Sequence, residues 1–79
     1  MPVFFLHLRN GTEVTEDLEG EIFDDLASAK REALQGAREI MADHLRYGEA
    51  LGVRREFVIS DEVGNLLSTV PFSAAIQRD

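Results

Sequence analysis

Residues 24–47, DDLASAKREALQGAREIMADHLRY, form the longest periodic stretch of the chain, and their reading decides the fold. At about 100° per residue, Leu26, Ala29, Ala33, Leu34, Ala37, Ile40, Met41 and His44 fall within one broad arc. Arg31, Glu32, Gln35, Arg38, Glu39, Asp43 and Arg46 fill the opposite arc. This pattern predicts one amphipathic helix with a core-facing stripe and a solvent-facing stripe. Asp24 or Asp25 is the expected N-cap, because a carboxylate there accepts backbone N–H bonds and gains from the positive helix end. Gly48 is the expected C′ residue, which places the helix end near Tyr47. Alanines at 33 and 37 in the middle of the buried stripe suit close packing on a flat partner such as a sheet. Gly36 at the stripe's edge costs about 1 kcal/mol relative to alanine in a helix interior, and two readings remain open. Either the cost is tolerated, or another backbone approaches closely there.

Before the helix, residues 3–9 alternate as a strand, with Phe4, Leu6 and Leu8 on one side and Val3, Phe5, His7 and Arg9 on the other. The first set is expected to face the helix. Asn10-Gly11 predicts a two-residue type I′ turn into a short, polar return strand at residues 12–15, whose charges protect an edge. A turn centred on Gly20 follows, after which Ile22 and Phe23 lead toward one end of the core. Beyond the helix, residues 48–52 read as a loop and residues 54–60 as a third strand, with Phe57 and Ile59 opposite Val58. Asp61-Glu62-Val63-Gly64-Asn65 suits a type I turn with a left-handed glycine. Residues 66–72 read as the fourth strand, with Pro71 at an end or an edge because it cannot donate to a ladder. The tail 73–79 is expected to make one helical turn or to fray. The expected fold is therefore an α+β two-layer sandwich, β-β-α-β-β. It consists of a four-stranded, mostly antiparallel sheet with one long helix on one face, and it forms a single domain over 1–79.

The chain has 79 residues, enough for one small core, and no cysteine, which excludes disulfides and thiolate chemistry. No signal-peptide pattern opens it, and no run approaches the roughly 18 apolar residues of a membrane span. A cytoplasmic protein without a membrane partner is expected. Fifteen acidic residues against eight basic ones give a net charge of −7, which repels phosphate backbones. Arg54 and Arg55 are adjacent, so on a strand they point to opposite sides, and no nucleic-acid partner is expected.

Seven of the acids lie between Glu13 and Asp25. Their spacing is not that of a calcium-binding loop, so a solvated acidic edge is favoured over a cation site. The histidines are the groups from which any near-neutral acid–base chemistry would start. Ordinary packing explains both His7 and His44 better than catalysis does. Ser60 lacks a nucleophile elbow, and no phosphate loop, dinucleotide fingerprint or metal-ligand spacing occurs. No catalytic residue, metal or cofactor is assigned, and the domain is expected to be non-enzymatic, with a small hydrolase built around His7 as the lesser alternative.

One helix covers one sheet face, which leaves Val3, Phe5, Val58 and Leu67, with His7 and Thr69, on the other. Such a surface is more apolar than a solvated sheet face, and these six residues are the expected interface of a homodimer joined sheet to sheet. The competing expectation is that the loop 16–23 or the C-terminal segment folds over this face within the monomer.

The opening Met1-Pro2-Val3-Phe4-Phe5-Leu6-His7-Leu8-Arg9 follows the pattern Met-Pro-x-aromatic-Phe-x-His-x-Arg. With Glu19-Gly20, Asp25-Leu26-Ala27-Ser28-Ala29, Glu32-Ala33, the stretch from Ile59 to Gly64 and Val70-Pro71-Phe72, it resembles a family of short bacterial proteins of unknown function over nearly the whole chain. Leu6 and Lys30 depart from that pattern, which prefers a second aromatic and an arginine there. The resemblance implies the domain and no activity. Over about a third of the chain, the rhythm Leu26-Ala27-Ser28-Ala29 with Glu32-Ala33-Leu34 is similar to antitoxins of the HicB type. That likeness implies a runner-up role, in which an acidic module covers a basic, otherwise unidentified protein partner.

Overall fold

The computed structural model describes residues 2–46 and 55–76, with the side chains of 44–46 and of 76 excepted. The elements run β1 (Val3–Asn10), β2 (Glu13–Thr15), β3 (Glu21–Ile22), α1 (Leu26–Arg46), β4 (Arg55–Ser60) and β5 (Leu66–Pro71), closed by a 3₁₀ helix, Phe72–Ile76. The sheet order is β2-β1-β4-β5, and every pairing is antiparallel. The fold is the α+β arrangement of one sheet and one long helix. The expected helix end, the Gly48 cap, the 48–52 loop, Arg54 and the burial of His44 lie outside the described residues.

Among the described residues the sheet has the four expected strands in its main path and a further two-residue strand, β3, beside β1. Glu21–Ile22 pairs with Phe4 and Val3 at the start of β1, while β2 pairs with its other end, from Leu8 to Asn10. One edge of β1 is thus covered by two short strands with a gap between them. The first hairpin also differs from expectation. Asn10 pairs with Glu13, so the loop residues are Gly11 and Thr12, and only Gly11 has positive φ (65°). A type I′ turn needs positive φ at both loop positions, and Thr12 does not adopt it. Glycine at the first loop position, with the second at negative φ, is the type II′ pattern. The second hairpin has the expected turn, with Gly64 at φ 88° and its N–H donating to the Asp61 carbonyl at 3.1 Å.

Asp25, not Asp24, caps the helix. Its Oδ1 accepts the Ser28 N–H at 2.8 Å, the third helical position, which satisfies an otherwise orphaned donor. The helix lays Ala29, Ala33 and Ala37, all fully buried, and Met41 on the sheet. Because alanine is short, the sheet supplies the bulk: Phe4, Ile59 and Val70 pack around Ala29 and Ala33, with Leu6, Phe23 and Phe57 at the margin. A second cluster joins Ala37 and Met41 to Phe72 and Ala75, so the 3₁₀ turn closes the far end of the helix. Phe72 belongs to that turn rather than to the fourth strand, since Pro71 ends the ladder. A Cβ at Gly36 would meet the Phe57 ring at 3.5 Å, an ordinary contact, so close backbone approach is not what places glycine there.

Candidate functional site

The face opposite the helix carries the sequence-derived candidates. Across the central pair, Phe5 lies opposite Ser60, His7 opposite Val58 and Arg9 opposite Glu56. On β4, Val58 in turn lies opposite Thr69. Directly opposed residues of antiparallel strands share a face, so Phe5, His7, Val58 and Thr69 form one surface. Val3 and Leu67 extend it by alternation. The Arg9–Glu56 ion pair borders it, partly exposed on both sides and hence of small energetic weight. Val14, half exposed, joins it from β2 through its pairing with Arg9, a residue that sequence reading left in an edge strand of charges.

The gap between β2 and β3 shapes one end of this face. There the chain leaves the sheet edge, and Asp17 takes over part of the ladder's work. Its Oδ2 accepts the Leu6 N–H at 3.1 Å, and its Oδ1 accepts the Glu19 and Gly20 N–H groups at 3.2 and 3.1 Å. Partial burial pushes the Asp17 pKa upward. The backbone donors Gly20, Leu6 and Glu19 outweigh that, helped by His7, and hold the carboxyl below its ordinary range. Gly20, at φ 72°, is pressed against β1: an added Cβ would stand 2.7 Å from Val3 Cγ1 and 2.8 Å from Phe5 Cε2. The segment 17–20 therefore lies against Val3, Phe5 and His7 within the monomer, and Phe5 and His7 are half-buried. Val58 is half-buried too, while Leu67, Thr69 and Val14 are exposed.

His7 stands at the centre with both ring nitrogens engaged. The Asp17 N–H donates to Nδ1 at 3.0 Å, and Nε2 lies 2.9 Å from the Ser60 Oγ. Since Nδ1 accepts, the neutral ring carries its proton on Nε2 and donates it to Ser60. A serine nucleophile needs the reverse arrangement, in which Nε2 accepts from the hydroxyl while Nδ1–H donates to an orienting acceptor. The pair links β1 to β4 across the sheet face. It aligns Phe5 with His7, whose rings lie nearly parallel with centroids 6.3 Å apart.

Among the described residues, no group of three or more His, Asp or Glu side chains is placed to hold a metal ion. Two of the acids of 13–25 have separate local tasks: Asp17 serves the strand gap and Asp25 the helix cap. Among those residues, too, no helix is long and apolar enough to cross a membrane. Asp17 was missed as a structural hub because it sits in an acidic run. The signal available was its spacing to Gly20, an aspartate followed three residues later by a residue suited to positive φ.

Neither the curated proteins nor the solved structures contain a match to this chain. A family model, the domain of unknown function DUF6894, matches residues 3–73, which span every strand and the helix. The chain therefore belongs to the DUF6894 family.

Proposed function

We propose that this DUF6894 chain is a non-enzymatic, cytoplasmic protein-interaction domain that assembles with further copies of itself through the sheet face opposite the helix. The observation carrying this reading is the composition of the part of that face left open by the segment 17–20. Val58 lies at its centre, with Leu67 and Val14 39% and 52% exposed around it. An apolar centre with a polar margin of Thr69, Arg9 and Glu56 has the layout of an association surface. The simplest assembly places two copies sheet to sheet about a two-fold axis, so that Val58 meets the same patch of its partner. Val3, Phe5 and His7 shape the rim of this surface, since the segment 17–20 already lies on them.

The non-enzymatic part rests on His7, whose hydrogen bonds commit it to Asp17 and Ser60 in the tautomer that cannot activate the serine. The test is solution mass by light scattering across concentrations, for the natural chain and for Val58→Glu. The reading expects a mass of two or more copies that Val58→Glu halves while the circular dichroism spectrum is kept. A chain that stays at 8.8 kDa at all concentrations contradicts it. Toxin neutralisation is the runner-up role; its support is the net charge of −7, and stable capture of a basic ribonuclease by the purified chain is its test.

A further inference from the structure

The segment between the short strands β2 and β3 is tied to β1 by two hydrogen bonds. The Asp17 N–H donates to His7 Nδ1 at 3.0 Å, and the Leu6 N–H donates to Asp17 Oδ2 at 3.1 Å. Leu18 is 83% exposed, so its side chain adds no apolar anchor. Gly20 lies against Val3 and Phe5, which the segment covers in part. The first tie ends on an imidazole, a group that changes its charge between about pH 5 and 8. Nε2 already carries the proton that is donated to Ser60, so a second proton can enter the ring only at Nδ1. That is the atom to which the Asp17 N–H donates.

We infer that protonation of His7 releases the segment 17–20 from β1, so that mild acid uncovers Val3 and Phe5 on the sheet face. In the imidazolium both nitrogens are donors, and Nδ1–H then opposes the Asp17 N–H across 3.0 Å. The Asp17 carboxylate cannot relieve this without loss. Its oxygens hold the N–H groups of Leu6, Glu19 and Gly20, and turning Oδ2 toward the ring draws it from Leu6, the other tie. The two ties therefore coexist only while the ring is neutral. Other charged groups about His7 leave this unchanged. Arg9 is paired with Glu56, Glu16 lines the cleft beside β2, and Asp61 and Glu62 line the groove after β4. From β5 comes only the uncharged Thr69, opposite Val58. Asp61 and Glu62 attract an imidazolium whether the segment is on or off the sheet, so they offset its cost for the fold as a whole and leave the segment's position to its ties. The latch lies within one copy, so the inference goes beyond self-association and does not rest on it.

The test is amide exchange of the natural chain, followed by NMR from about pH 8 to about pH 5 and corrected for the intrinsic pH dependence of exchange, with the charge of His7 read from its ring nitrogens. Asp17 stays ionised over this range: its burial is outweighed by the backbone donors Gly20, Leu6 and Glu19, and its carboxyl lies below the ordinary 3.8. The N–H groups of Leu6 and Asp17 are expected to lose protection at least about fivefold as the ring gains its proton, the effect of one neutral hydrogen bond. Those of Val63 and Asn65, which the Asp61 carboxylate holds in a turn without a histidine, should keep theirs. The loss should persist in His44→Gln, which removes the other histidine, and vanish in His7→Gln, whose side chain stays neutral. Unchanged protection at Leu6 and Asp17 while the ring takes up its proton overturns the inference, and so does a ring still neutral at about pH 5. An equal loss at Val63 and Asn65, or a loss kept in His7→Gln, also overturns it, because acid would then be acting elsewhere.

Discussion

Gly20→Ala tests the segment that shapes the candidate face. Two costs act at this position, and the other glycines allow them to be separated. At φ 72° a Cβ is disfavoured by about 1–2 kcal/mol whatever surrounds it. The same Cβ would also stand 2.7 Å from Val3 Cγ1 and 2.8 and 3.0 Å from two carbons of the Phe5 ring, so side chains or the segment must move. Overpacking of this kind costs typically about 1–3 kcal/mol. The sum is a loss of about 2–5 kcal/mol. Gly11 and Gly64 also have positive φ but open space where a Cβ would lie, so Gly11→Ala and Gly64→Ala carry the conformational cost alone. Urea unfolding of the three variants should therefore show Gly20→Ala less stable than the other two by at least about 1 kcal/mol, at an unchanged slope with denaturant. Three equal losses would refute the reasoning, because they would mean that the segment 17–20 is not held against β1.

Two further expectations concern stability. Gly36→Ala should stabilise the chain by about 0.5–1 kcal/mol, since the added methyl finds an ordinary contact at 3.5 Å from Phe57 and the helix gains propensity; a rise in melting temperature checks it. Acid should act through Asp17, Asp25 and Asp61, whose pKa values are all lowered in the fold: Asp17 by backbone donors that overcome its burial, Asp25 chiefly by the Ser28 N–H and Asp61 chiefly by the Asn65 N–H. A carboxylate with a depressed folded pKa contributes stability that is present above its unfolded value of 3.8 and is lost as pH falls through the folded value. The unfolding midpoint in urea should consequently be steady above about pH 5 and fall below about pH 4, less steeply in Asp17→Asn.

Alternation made the two faces of β1 and β4 legible in the sequence, because Phe4, Leu6, Leu8, Phe57 and Ile59 sit at period two with little interruption. The helix was legible from its alanine stripe and its acidic start. The strand Glu21–Ile22 was not, because two residues cannot display a period; it forms because the chain returns beside Phe4 after Asp17 has spanned the gap. The first turn was misassigned because Asn-Gly favours type I′ in general, whereas the Asn10–Glu13 register puts Gly11 and Thr12 in the loop. The His7–Ser60 contact joins residues 53 positions apart across a pairing of β1 with β4. No hairpin turn sets that register, so no local signal announces it. What covers Phe5 was open to two readings, and the deciding feature is the steric demand of Gly20, visible only once the segment is folded back.

The measurement that tests the central claim most directly is the solution mass of the natural chain and of Val58→Glu over a hundredfold range of concentration. Val58 is preferable to Phe5 as the probe, because Phe5 already packs on Gly20 and its substitution would disturb the monomer. The account predicts an assembly of two or more copies whose mass halves in a folded Val58→Glu chain. A monomer throughout, or an assembly that Val58→Glu leaves unchanged, contradicts association through this face.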